Sequence, residues 1–263
     1  MRLLSYYALL TPLCLILSRP ITAQSNRIKD HEKIGWYNVF STVQFNKKFE
    51  LHGEYQWRRT QFIREWQQSL IRFGLTYNVS QNVKVRLGYA HVETFAYGLY
   101  ALNALGKNFT EHRLFQMIQH NSNEGFLGIN HRFITEQRFI GQFQYPEQTK
   151  EHEYMFVNRV RYLLRLQMPL IRKTIGAKTP YIAASNEVFI GFGKNVRENI
   201  FDQNRIMLSI GYQLSEKTRI ECGYINQILQ LSREIDNKNV FQKNNGFVIN
   251  AFLTLGGKSS PKI

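Results

Sequence analysis

The sequence predicts an all-β fold, a single transmembrane antiparallel up-and-down β-barrel of about 10–12 strands. Three observations carry that prediction. Apolar and polar residues alternate with period two from Gly35 to Leu255. Arginine falls inside the alternating segments, whereas lysine falls between them. Tight polar turns take turns with longer loops along the chain.

The first segment reads as an export signal. Arg2 precedes a mostly apolar run over residues 3–17, and Ile21-Thr22-Ala23 precedes Gln24. A secretory signal peptide over residues 1–23 is expected. A membrane helix is the other reading, but the run is short for a ~20-residue span. Cys14 has no small residue before it, which argues against a lipoprotein signal. Residues 24–263 then make one barrel domain, free of low-complexity tracts and linkers, with Cys222 as its one cysteine. A lone thiol makes no internal disulfide. A closed strand ladder in lipid is another source of stability.

Taken in order, the alternating segments are 34–45, 49–60, 66–79, 83–95, 112–121, 125–139, 153–168, 179–190, 203–214, 218–229 and 244–255. In the second, Phe49, Leu51, Gly53, Tyr55 and Trp57 oppose Glu50, His52, Glu54, Gln56 and Arg58. In the third, Ile71, Phe73, Leu75 and Tyr77 oppose Arg72, Gly74 and Thr76. The fourth sets Val85, Leu87 and Tyr89 against Lys84, Arg86 and Gly88. The ninth sets Ile206, Leu208, Ile210 and Tyr212 against Arg205, Ser209 and Gly211. In the tenth, Ile220, Cys222 and Tyr224 oppose Arg219, Glu221 and Gly223. The last puts Phe247, Ile249, Ala251, Leu253 and Leu255 on one side. Bacterial single-chain barrels use even strand numbers, so a further strand near residues 26–33, or one strand fewer, is expected.

Tight turns are expected at Asn46-Lys47-Lys48, Ser80-Gln81-Asn82, Ser122-Asn123-Glu124 and Ser215-Glu216-Lys217, and longer loops over residues 96–111, 140–152, 191–202 and 230–243. The 169–178 connection breaks the pattern on the short side.

A soluble sandwich also alternates, so alternation alone does not choose. Side chains only just fill an eight-stranded barrel, and a wider one with its apolar face inward is hard to fill. Fourteen of the fifteen lysines lie in turns, loops or tails, Lys84 being the exception. Arginine makes bidentate ion pairs and suits an enclosed polar interior. Trp36, Trp57 and Trp66 fall at segment ends on the long-loop side, and Tyr77 and Tyr212 near short turns, as membrane-interface rings do. Against this, Phe252-Leu253-Thr254-Leu255 is followed by a polar tail rather than closing the chain on an aromatic residue.

The middle of the chain carries a family resemblance. Glu111-His112-Arg113, His131-Arg132-Phe133, Glu136-Gln137-Arg138-Phe139, Asn158-Arg159-Val160-Arg161-Tyr162, Asn186-Glu187-Val188-Phe189 and Phe201-Asp202-Gln203-Asn204-Arg205 occur in that order, followed by Gly223-Tyr224. This succession resembles the domain of unknown function 2490 family, a set of Gram-negative outer-membrane barrels. The resemblance implies fold and location, and supplies no functional residues to carry over.

Alternation assigns the interior face. Arg58, Arg72, Lys84 and Arg86 are expected inside from the early strands, and Arg132, Arg138, Arg159, Arg161 and Arg165 from the middle ones. Arg205 and Arg219 follow. Glu50, Glu54, Glu136, Glu187 and Glu221 are the expected acidic members. A wet interior of this balance favours anions, and a closed one forms an ion-paired plug. Net charge is +15. Export argues against nucleic acid as the partner; outer-membrane lipid and lipopolysaccharide fit better. Loop cations such as Lys107, Lys194, Arg197, Lys238 and Lys243 look the same whether solvated or touching lipopolysaccharide phosphates. Oligomeric state stays open.

Catalytic and metal signals are weak. Ser41, Ser69, His52, His91, His112, His120 and His131 lie in or beside strands, but no G-x-S-x-G elbow occurs. Glu111-His112 and Glu151-His152-Glu153 lack metal-ligand spacing. No catalytic residue, cofactor or metal is expected. The function expected is a structural barrel, or a narrow pore or binding barrel with a net-basic lumen. The alternatives are a lipid-modifying outer-membrane barrel enzyme and a soluble periplasmic β-sandwich.

Overall fold

The computed structural model describes residues 27–256, and the expected signal peptide lies outside them. Eleven strands run in chain order. They are β1 (Arg27–Gln44), β2 (Phe49–Thr60), β3 (Glu65–Asn78), β4 (Val83–Thr94), β5 (Phe109–Glu124) and β6 (Leu127–Gln142). They continue with β7 (Glu153–Pro169), β8 (Thr179–Phe192), β9 (Phe201–Ser215), β10 (Thr218–Ile235) and β11 (Lys238–Gly256). Each pairs with the next, and β11 returns to β1 to close the barrel.

This is the all-β up-and-down barrel of about 10–12 strands that the sequence predicts, and the closure corrects only the expectation of an even strand number. With an odd number of up-and-down strands, the first and last run the same way. They therefore close in parallel, from Arg27↔Asn239 to Gln44↔Gly256. Residues 27–33 are not a separate strand but the beginning of β1. The close approach at this seam needs a glycine, because a Cβ at Gly246 would collide with the carbonyl oxygen of Ile34.

Residues 230–243 are not a loop either. β10 and β11 run on past the expected ends and meet at Asp236 and Asn237, with φ of 51° and 57°. Two residues at positive φ make the mirror-image turn that matches strand twist in a two-residue hairpin. At Ser122-Asn123-Glu124, β5 continues, and the turn falls on Gly125 and Phe126. Connections 95–108, 143–152 and 193–200 remain long and share one rim with the β10–β11 hairpin. The other rim carries 45–48, 79–82, 125–126, 170–178 and 216–217.

The alternating apolar side chains face outward. Leu87 is 63% and Ile210 67% exposed, and Phe73, Leu114, Phe133 and Leu208 lie on the same outer face. The polar face turns inward and is buried. A sandwich packs its apolar faces together, so that alternative is set aside. Lys29, Lys33, Lys238 and Lys243 all lie where β1 and β11 extend toward the long-loop rim, beyond the apolar zone that begins at Tyr37 and Phe247.

Candidate functional site in the barrel interior

Cross-strand pairing builds the interior. Glu54 and Arg72 are register partners on β2 and β3, and Glu136 and Arg159 on β6 and β7. Residues directly opposite on one face are close enough to interact. Arg72 Nη1 lies 3.0 Å from Glu54 Oε1. Arg159 donates from Nε to Glu136 Oε2 at 2.8 Å. Arg161, two residues further on the same face, donates to Glu136 Oε1 at 2.7 Å and to Glu187 Oε1 at 2.8 Å. Arg132 reaches Glu187 at 3.0 Å.

One contact carries this chain of charges across the bore. Arg72 Nη2 on β3 lies 3.6 Å from Glu136 Oε1 on β6, and these strands are not neighbours in the sheet. A second branch rises toward the long-loop rim. Arg159 pairs with Asp202 at 2.5 Å. Arg138 and Arg113 both clasp Glu111, at 2.5 and 2.7 Å. On the short-turn side, Glu221 receives Arg165 at 2.5 Å and the Tyr181 hydroxyl at 2.7 Å.

Rings fill the spaces between the guanidinium groups. Phe189 is fully buried, with Arg159, Arg161 and Arg205 at 5.2, 4.6 and 4.5 Å from its centroid. Arg72 stands 5.1 Å from Phe115. Such contacts favour the cation by ~2 kcal/mol when desolvated. Glu136 and Arg159 are 1% and 2% exposed, so the centre of the lattice is shut off from solvent. A cavity of about 220 Å³ remains on the long-loop side and one of about 620 Å³ on the short-turn side. Arg58 and Arg205 touch both. Arg138 lines the first, and Arg86, Arg165 and Arg219 line the second.

The loop over residues 95–108 dips into the long-loop mouth. Tyr97 is buried there, and its hydroxyl accepts a hydrogen bond from Asn244 Nδ2 at 3.2 Å. Burial pushes this phenol up to about 12. Arg233 holds the same loop by the carbonyls of Leu102 and Ala101, at 3.0 and 2.8 Å.

The sequence model of a family described as "Protein of unknown function (DUF2490)" matches residues 34–239. The chain belongs to the DUF2490 family. The match covers β1 from Ile34 through β10, so the ion-paired lattice is built from DUF2490 segments. Among solved structures, a chain described as "NanC porin structure in rhombohedral crystal form" is similar at 10% identity, with a TM-score of 0.47, over 84% of this chain and 98% of that one. No curated protein matches.

Glu111, Arg113 and Asp202 are interior charges of this DUF2490 barrel that alternation does not assign to the inward face, and Asp30 at the long-loop mouth is another. Glu111 is not a loop residue beside a candidate metal ligand; it lies in β5, 1% exposed, clasped by two arginines. Arg113 follows it on the same face, and Asp202 opens β9. The signal was present, since Glu111 and Arg113 share parity. It was obscured because Phe115 and Met117 follow on that face and are apolar.

Trp36 also corrects an expectation. It does not stand at the interface but points inward, 3% exposed, its indole donating to Gln67 Oε1 at 2.7 Å. Trp66 is on the outer face. The histidines divide between faces. His52 is inside, 3.2 Å from Glu54 Oε2. His131 and His112 contact the hydroxyls of Tyr162 and Tyr89 at 2.8 and 2.5 Å. Ser41 Oγ donates to the Gly53 carbonyl. No serine–histidine hydrogen bond occurs among the described residues.

Proposed function

We propose that this DUF2490 chain is exported and stands in the Gram-negative outer membrane as a closed barrel with a net-basic interior, serving a structural or binding role without turnover. The observation that carries this reading is the inversion of polarity. Leucine, isoleucine and phenylalanine cover the outside, while arginine–carboxylate pairs fill the inside. An apolar exterior of this extent is stable against hydrocarbon and not against water. Lipid and lipopolysaccharide are therefore its proposed surroundings.

The basic balance rests on named groups. Arg58, Arg86, Arg205 and Arg219 have no carboxylate within ion-pair distance among the described residues. The lattice through Arg72, Glu136 and Arg161 supports a resting state without an open path through the bore. In planar lipid bilayers the barrel is expected to show no steady conductance. Glu136→Ala with Arg161→Ala is expected to open an anion-preferring leak. A large steady conductance in the unsubstituted chain, or a cation-preferring leak, contradicts this reading.

A further inference from the structure

We propose that the short-turn-side cavity is a binding site for a small soluble polyanion carrying two or more carboxylate or phosphate groups. The proposal rests on the net-basic interior of the preceding section and names what that interior takes.

At about 620 Å³, this cavity is the larger of the two and extends to Gln44, Gly176 and Lys217 at the short-turn rim. Its carboxylates are already committed. Glu50 receives Lys84 at 3.0 Å and Asn78 at 3.1 Å. Glu221 receives Arg165 and Tyr181. Glu54 and Glu187 belong to the central lattice. Glu216, in the turn, accepts from the Ala177 amide.

Cationic donors remain. Arg86 on β4 spends Nε on Thr76 Oγ1 at 2.7 Å, and its terminal nitrogens have no partner among the described residues. On β10, Arg219 makes no ion pair among the described residues and lies 4.1 Å over the Phe252 ring. On β6, Arg132 binds Glu187 through Nη2, while its Nε is buried without a hydrogen-bond partner among the described residues. These donors converge on one cavity from separate strands.

The chemistry follows from that arrangement. An enclosed guanidinium that has lost water regains most from an oxygen anion, which accepts in its plane and often through two bonds. Donors on β4, β6 and β10 are bridged by a ligand with several charged groups, not by one halide ion. Phe252 stacks on Phe40, centroids 4.8 Å apart, and gives the cavity an apolar wall for a carbon skeleton. A lipid headgroup tethered to the bilayer does not reach an interior cavity, so the ligand is a free solute.

Trp36 lines this cavity, and the chain holds three tryptophans. Trp57→Phe with Trp66→Phe leaves Trp36 as the sole indole reporter. The refolded barrel in detergent is titrated with citrate and with pyrophosphate. Sucrose and ionic-strength-matched chloride are the controls, and calorimetry on the unsubstituted chain is the second measurement. A saturable response to citrate or pyrophosphate is expected, weakened about tenfold or more by Arg86→Gln or Arg219→Gln. Neither arginine holds an ion pair among the described residues, so both variants are expected to keep the heat-modifiable mobility of a folded barrel. No saturable response by either method, an equal response to chloride, or affinities unmoved by both substitutions overturns the proposal. Flotation of the exported protein with membranes is scored separately. Loss of flotation with binding retained would fail the location, not the site.

Discussion

The guanidinium of Arg58 lies 4.0 Å over the indole of Trp36, deep inside the barrel. Arg205 stands 4.9 Å from the same ring. The tryptophan thus serves two cations at once, neither of which has a carboxylate in reach among the described residues. Replacing it with alanine opens a cavity and leaves both guanidinium groups less well surrounded. Trp36→Ala is expected to lower unfolding stability by about 3–5 kcal/mol. Urea unfolding of the detergent-refolded barrel checks this, and a change near zero would mean the ring does no such work.

Glu136 is the junction of the lattice. Arg159 and Arg161 both donate to it, and Arg72 approaches across the bore. Removing one partner from a buried ion pair leaves an uncompensated charge. Glu136→Gln is expected to cost about 3–5 kcal/mol. The same substitution at exposed Glu147, in the 143–152 loop, is expected to cost under about 0.5 kcal/mol in the same assay.

The parallel seam gives a test of strand number. Any side chain at Gly246 meets the Ile34 carbonyl, so Gly246→Ala is expected to block closure of β1 on β11. Loss of heat-modifiable mobility on gels is the readout. Normal folding of this variant would mean that the two strands do not meet in this register.

Tyr97 gives the pH prediction. Its phenol is raised from 10.0 to about 12 by burial, so the folded loop holds the neutral form. That contribution is complete below the ordinary value near 10 and is lost as pH rises through about 12. A phenolate absorbance titration, taken as the difference between the unsubstituted chain and Tyr97→Phe, is expected to show one group ionising near 12. Ionisation near 10 would place Tyr97 in water.

Strand order and the division of faces were legible because the apolar outer face and the enclosed polar interior are unlike environments, and period-two alternation records the difference. Leu51, Tyr55, Phe73 and Leu208 fell outside, and Glu54, Arg72, Arg161 and Arg205 inside, by parity alone. Legibility ended where that division breaks down. Arg27–Lys33 and the β10–β11 hairpin extend past the outer apolar zone, and there Ile28, Leu229, Leu231 and Val240 pack together while charged residues surround them, so the rule of apolar outside and polar inside no longer holds. Inside, Phe115, Phe189 and Trp36 are apolar yet face the arginines, because rings accept cations as well as hydrocarbon. Which arginine meets which carboxylate was not legible, since Arg72 meets Glu136 across the bore rather than along the sheet.

Cys222 is exposed on the outer face and is the one cysteine beyond residue 23. It therefore reports directly on what surrounds the barrel. A bimane fluorophore on Cys222, with the protein in bilayers, is expected to be quenched strongly by brominated lipid and hardly by aqueous iodide. Quenching by iodide with indifference to brominated lipid would place the apolar face in water and contradict the membrane barrel.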